Sequence, residues 1–71
     1  MNWTLKDYRK AVGLSQKDLA VKMNCSQANI SLYEKGLVAI QIEDVPLLAE
    51  LFDATTGEIV EAAIATLRSA S

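Results

Sequence analysis

Gln16-Lys-Asp-Leu-Ala-Val-Lys-Met-Asn-Cys-Ser-Gln-Ala-Asn-Ile-Ser-Leu-Tyr-Glu-Lys35 is the stretch that decides the fold. Ser15 precedes it and Ser26 lies within it, each directly ahead of a helical run. A hydroxyl at such a position accepts a hydrogen bond from the open N–H groups of a first turn. The first run, Gln16 to Met23, puts Leu19, Ala20 and Met23 at helical spacing, and Ala20 is small enough for a second helix to cross it closely. The second run, Gln27 to Lys35, carries Ile30 and Tyr33 inward and stops at Gly36. Asn24 falls at the tight turn between the runs, where the chain needs a positive φ that Asn tolerates nearly as well as Gly. Two short helices joined by a tight turn are expected over residues 16–35.

Outward from that pair, the pattern stays helical. Thr4 to about Val12 reads as a first helix, with Leu5, Tyr8 and Val12 at helical spacing and Thr4 and Asp7 placed as a capping box. Pro46 lacks an N–H and belongs in a first turn, so a fourth helix should start near Asp44 or Val45 and run to about Phe52. Thr55 with Glu58 is a second capping box, opening a fifth helix to about Arg68. The segment Leu37-Val-Ala-Ile-Gln-Ile42 is apolar and β-branched where a solvent loop would be polar. It reads as an extended piece packed on the core or as a short strand. The expectation is an all-α domain of five helices spanning residues 1–71.

Composition narrows the function. The chain has 71 residues, 51% of them hydrophobic, and a formal net charge of −2; that suits a small folded domain rather than a disordered one. No apolar run approaches the length of a membrane span, and no basic stretch leads an apolar one near the start, so neither an anchor nor a signal peptide is expected. With no His and one Cys, zinc sites, internal disulfides and Cys–His or Ser–His–Asp catalysis fall away. An enzyme, a metal and a cofactor are therefore not expected, and the unpaired thiol of Cys25 fits a small buried hydrophobe in a reducing cytoplasm. Charge is uneven. Residues 1–36 hold six basic and three acidic side chains, a net of +3, whereas residues 37–71 hold one basic and six acidic, a net of −5. Such asymmetry marks one half for an anionic partner and leaves the carboxylates of residues 43–61 as a solvated face.

Ser15-Gln16, Leu19-Ala20, Ile30-Ser31 and Glu34-x-Gly36 all fall in register with the Cro and phage-repressor (XRE-like) helix-turn-helix family, which the chain resembles over nearly its whole length. Leu48-Ala-Glu-Leu-Phe-Asp-Ala-Thr-Thr-Gly-Glu-Ile59 looks like that family's fourth and fifth helices. Two departures stand out. Asn24 and Cys25 occupy positions where the family usually has Gly and Val, and Leu37 to Ile40 replace a stretch that is usually polar or basic with a Pro. The resemblance implies a lambda-repressor-like DNA-binding domain with its helix-turn-helix at residues 16–35. It also implies a partly buried ion pair between Arg9 and Glu34, tying the first helix to the third.

Helical geometry says which side chains of the second run could read DNA. With Gln27 at the origin and about 100° per residue, Ile30, Tyr33 and Glu34 cluster on one side. Ala28, Ser31, Leu32 and Lys35 fall on the opposite side, and Gln27 projects from the N-terminal end that approaches base edges in this docking mode. Gln27 can bond bidentately to an adenine and Ala28 or Leu32 can touch a thymine methyl, so Gln27, Ala28, Ser31 and Leu32 are the base-contact candidates. Gln16, Lys17, Asn29 and Lys35 are candidates for phosphates, with Arg9 a further one beside its structural reading. The function expected is a double-stranded-DNA-binding transcriptional regulator, a Cro-like repressor at an operator, with no small-molecule ligand and no membrane. The competing reading is the antitoxin of a toxin–antitoxin pair, which would need a free apolar surface or tail. A homodimer reading two half-sites is expected, weak off DNA, with Leu37, Ile40, Val60, Ile64 and Leu67 as interface candidates, because the fifth helix and the segment 37–42 carry more apolar groups than one core needs.

Overall fold

A computed structural model describes residues 3–69. Five α-helices follow in order: α1 Leu5–Ala11, α2 Gln16–Lys22, α3 Gln27–Glu34, α4 Val45–Leu51 and α5 Thr56–Ser69. A single 3₁₀ turn, Ile42–Asp44, leads into α4. There is no strand among the described residues, so the strand alternative for residues 37–42 is not realised.

The helices begin where their caps dictate. Thr4 with Asp7, Ser15 with Asp18 and Thr55 with Glu58 each exchange side-chain and backbone hydrogen bonds of 2.9–3.3 Å. These satisfy first-turn donors that no helix can satisfy itself. The four shorter helices end alike as well. Gly13, Asn24, Gly36 and Asp53 all adopt positive φ one residue past a helix cap. Behind each, paired 5→2 and 6→1 bonds close the turn, for example Asn24 N–H to Val21 O at 3.2 Å and Cys25 N–H to Ala20 O at 2.9 Å. Asp53 is the member of this set that composition hides, because an exposed acid gives no sign of a left-handed backbone.

The core gathers Leu5, Leu19, Ala20, Ile30, Leu48 and Phe52 with Ile59 and Ala62 of α5. Each fully buried Leu, Ile or Phe contributes roughly 1.5–3 kcal/mol. α2 packs on α3, α4 on α5, and α1 lies against both α3 and α5. A polar device seals the last of these contacts. Thr66, 1% exposed, accepts the Leu5 N–H at 3.0 Å and donates to Ala62 O at 2.8 Å, so α5 caps the first turn of α1. Tyr8 stacks on Phe52 and takes Trp3 edge-on at 5.0 Å. Burial pushes its phenol above the ordinary value, with the Glu58 and Glu61 carboxylates adding to the rise. Val12, expected inward, is exposed because α1 stops at Ala11 and Val12 is its cap.

Candidate nucleic-acid interface

Three features fix α3. Its start is capped by Ser26, whose Oγ accepts the Asn29 N–H at 3.2 Å. Its middle is held by Ile30 in the core. Its last residue, Glu34, has a side chain 5% exposed and is paired with Arg9, which binds it through Nε and through Nη2 at 3.2 Å. Arg9 Nη1 donates to the Leu14 carbonyl at 2.8 Å, and Gln16 Nε2 donates to Glu34 Oε1 at 3.0 Å. The Arg9–Glu34 pair thus ties α1, the loop after it, α2 and α3. A guanidinium forking onto a carboxylate is the strong geometry for such a pair.

With Ile30 and Glu34 turned inward and Tyr33 half-buried, the other side of α3 faces out. Gln27, Ala28 and Asn29 are exposed, Leu32 is 36% exposed and Ser31 is half-buried. Lys17 and Lys35 are exposed near the two ends of the α2–α3 unit. Gln16 is half-buried, with its amide turned to Glu34. Arg9 forms the buried ion pair with Glu34 that the resemblance implies, and this counts against its further reading as a phosphate contact. It is 7% exposed, with its donors engaged by Glu34 and Leu14, so a phosphate could reach it only by breaking the pair.

The electrostatics follow the same division. Lys6, Lys10, Lys17, Lys22 and Lys35 are exposed on the first half of the chain, while Glu43, Glu50, Asp53, Glu58 and Glu61 are exposed on the second. Asp18 belongs by sequence to the basic half but is occupied as a cap: its bonds to Ser15 hold its carboxyl below the usual range. Cys25 is half-buried against the core, and burial pushes its thiol up, so it is protonated near neutrality and unfit as a nucleophile.

A second surface forms where residues 37–42 pass α5. Only Ile40 of that segment packs on the core; Leu37, Val38 and Ile42 are exposed, Ile42 at 81%. Of the two readings of this segment, an extended piece packed on the core and a short strand, the first therefore holds for Ile40 alone. Short of a strand partner, the segment turns early into the 3₁₀ turn and leaves its branched side chains outside. Val38, Ile40, Ile42, Val60, Ile64 and Leu67 line an apolar groove of about 210 Å³. Leu37, at 67% exposure, is not among the residues that line it. Thr66 is the residue that sequence reading missed. Its spacing from Ile59 and Ala62 was the available signal, since all three share one helical face.

The Helix-turn-helix family model matches residues 5–59, more than half of the chain and the whole span from the first residue of α1 to the first buried residue of α5. No match is found among curated proteins or solved structures.

Proposed function

Because the chain belongs to the helix-turn-helix family of the Cro and phage-repressor type, a family of DNA-binding transcription regulators, we propose that it is a sequence-specific repressor that occupies an operator. The supporting observation is the division of α3. Ile30 and Glu34 hold it to the body while Gln27, Ala28 and Leu32 face solvent. In this reading α3 enters the major groove, Gln27 reads a base edge, and Ala28, Ser31 and Leu32 supply the closer apolar and hydroxyl contacts. Lys17, Asn29 and Lys35 meet phosphates on either side, with Gln16 beside them at the start of α2.

One such helix reads too few base pairs to select a site in a genome, so the reading includes a two-fold dimer on paired half-sites about 34 Å apart. The groove between residues 38–42 and α5 supports this. It is apolar, and none of the four base-contact candidates lines it, so filling it leaves the reading face of α3 free. An antitoxin would use that groove for a different protein.

The test measures binding to a duplex selected from random sequence over stepped salt. The net +3 on residues 1–36 suggests about three to five neutralised phosphates per monomer, hence a log–log slope of about −3 to −5. Affinity that does not change with salt contradicts the reading. Sedimentation equilibrium with a palindromic form of the selected duplex tests the dimer: two chains per duplex are expected, and one chain on one half-site refutes it.

A further inference from the structure

We propose that the groove between residues 38–42 and α5 is a control site for α3, and that a second copy seated there sets the roll of that helix through Tyr33. The inference rests on the DNA-binding and dimer reading above and names how the two sites of one chain are coupled.

Tyr33 belongs to α3 and also lines the groove. Beside the groove is a smaller gap of about 10 Å³, and Leu5, Tyr33 and Ile40 line both. Ile30 and Glu34 line the gap as well, so three residues of α3 border it. Interiors are otherwise close-packed, and atoms that face a gap lack contacts on that side. Tyr33 is half-buried, with slack toward the gap and the open groove on its other side.

Ile30 in the core and Glu34 in its ion pair hold α3 along one line. At about 100° per residue, Tyr33 stands roughly 60° round the axis from Ile30 and roughly 100° from Glu34. Pressure on Tyr33 therefore rolls the helix. Side-chain tips lie about 5 Å from a helix axis, so a roll of about 5° moves the base readers by roughly 0.4 Å. Hydrogen bonds to base edges weaken steeply when displaced.

DNA has to hold α3 in one roll position, and that ordering costs conformational entropy. A second copy whose apolar side chains fill the groove covers Tyr33 and has already restricted the roll. Less ordering is left for DNA to impose, so each chain reads its own half-site better. This gain acts within a single chain and is separate from the gain of holding two half-sites at once. By reciprocity, DNA tightens the seat of the second copy by the same factor.

The experiment fills the groove from the chain itself. Ala63 is half-buried on α5 and lines the groove, so Ala63→Leu occupies part of it. Ala39→Leu, from the facing segment, stands in if the first variant does not fold. Affinity for a duplex with one selected half-site is measured where sedimentation equilibrium finds monomers and circular dichroism finds full helicity. The filled chain should bind about five-fold more tightly, the lower end of typical coupling between sites. Its α3 amides should also exchange hydrogen more slowly. With Tyr33→Leu in both chains the gain should vanish; if that variant does not fold, hydrogen exchange decides, since slowing spread evenly over all helices overturns the coupling. Unchanged or weaker half-site binding on filling, or a gain that survives Tyr33→Leu, also overturns it while the DNA and dimer readings stand. Failure of the unmodified protein to bind the selected duplex overturns the DNA reading, one chain on the palindromic duplex overturns the dimer reading, and either result takes this proposal with it.

Discussion

The α2–α3 unit and the face made by residues 37–42 with α5 are built on opposite principles. In the first, most side chains have an assignment: Leu19, Ala20 and Ile30 are buried, Ser15, Asp18 and Ser26 cap, Gln16 and Glu34 bond each other, and the remaining polar groups face water. Val21, Ala28 and Leu32 are exposed apolar side chains, and Val21 is of the kind any protein surface carries. In the second region the apolar groups outnumber the buried places. Leu37, Val38, Ile42, Val60, Ile64 and Leu67 are all exposed, and all but Leu37 line one groove. The difference is between a surface shaped to meet a polar, charged partner and one that water disfavours.

The largest effect should come from the ionic hub. Removing one partner of a buried pair strands the other charge, so Glu34→Ala should cost about 3–5 kcal/mol, a large share of the stability of a domain this size. Glu34→Gln, which keeps acceptor and shape, should cost less. Urea unfolding measures both, and a double-mutant cycle with Arg9→Met that shows no coupling would remove the hub from the account. Next comes Thr66→Val, nearly the same volume, which leaves the buried Leu5 N–H without its acceptor and should cost about 1–3 kcal/mol.

On the apolar face the expectation reverses. Ile64→Asp alters an exposed residue, so monomer stability should move by no more than about 0.5 kcal/mol while binding to a palindromic duplex loses its second chain. If Ile64→Asp instead unfolds the monomer, the groove belongs to the core and the contrast between the two regions fails.

The smallest effect is acid sensitivity. Ser15 holds the Asp18 carboxyl below its ordinary range and Thr55 does the same for Glu58, in each case mainly through a backbone hydrogen bond. With folded values below unfolded ones, their contribution is present above the ordinary carboxylate range and is lost as pH falls through the folded values. Asp18→Asn and Glu58→Gln should each flatten the acid limb of a stability–pH curve. An unchanged limb would mean that the caps are not ionised partners.

Much of this was legible because caps and turns write themselves locally. Ser15, Ser26, Thr55 and Pro46 mark starts, Gly36 and Asn24 mark ends, and the helix bounds follow to within a residue or so. The inward face of α3 was equally readable, since Ile30, Tyr33 and Glu34 recur at helical spacing. What sequence concealed was tertiary choice. The apolar stripe on α5 is wider than one packing face, and its expected surplus, Val60, Ile64 and Leu67, is exposed; what the pattern does not show is that the helix buries Ala62 and the hydroxyl of Thr66 beside Ile59. Nothing local announces that Thr66 will cap another helix. The same limit applies to Gln16, whose amide has both a solvent edge and a buried acceptor within reach until α3 is folded beside it.

The central claim is that the outward side of α3 reads DNA, and Gln27 tests it most directly. Duplexes are selected from random sequence with the unmodified protein and with Gln27→Ala, and affinities are measured on the preferred site. The account predicts a loss of about 1–3 kcal/mol and a relaxed preference at one base position, while Lys35→Ala weakens binding to all sequences alike. Unchanged affinity and unchanged preference in Gln27→Ala would contradict the assignment of α3 as the recognition helix.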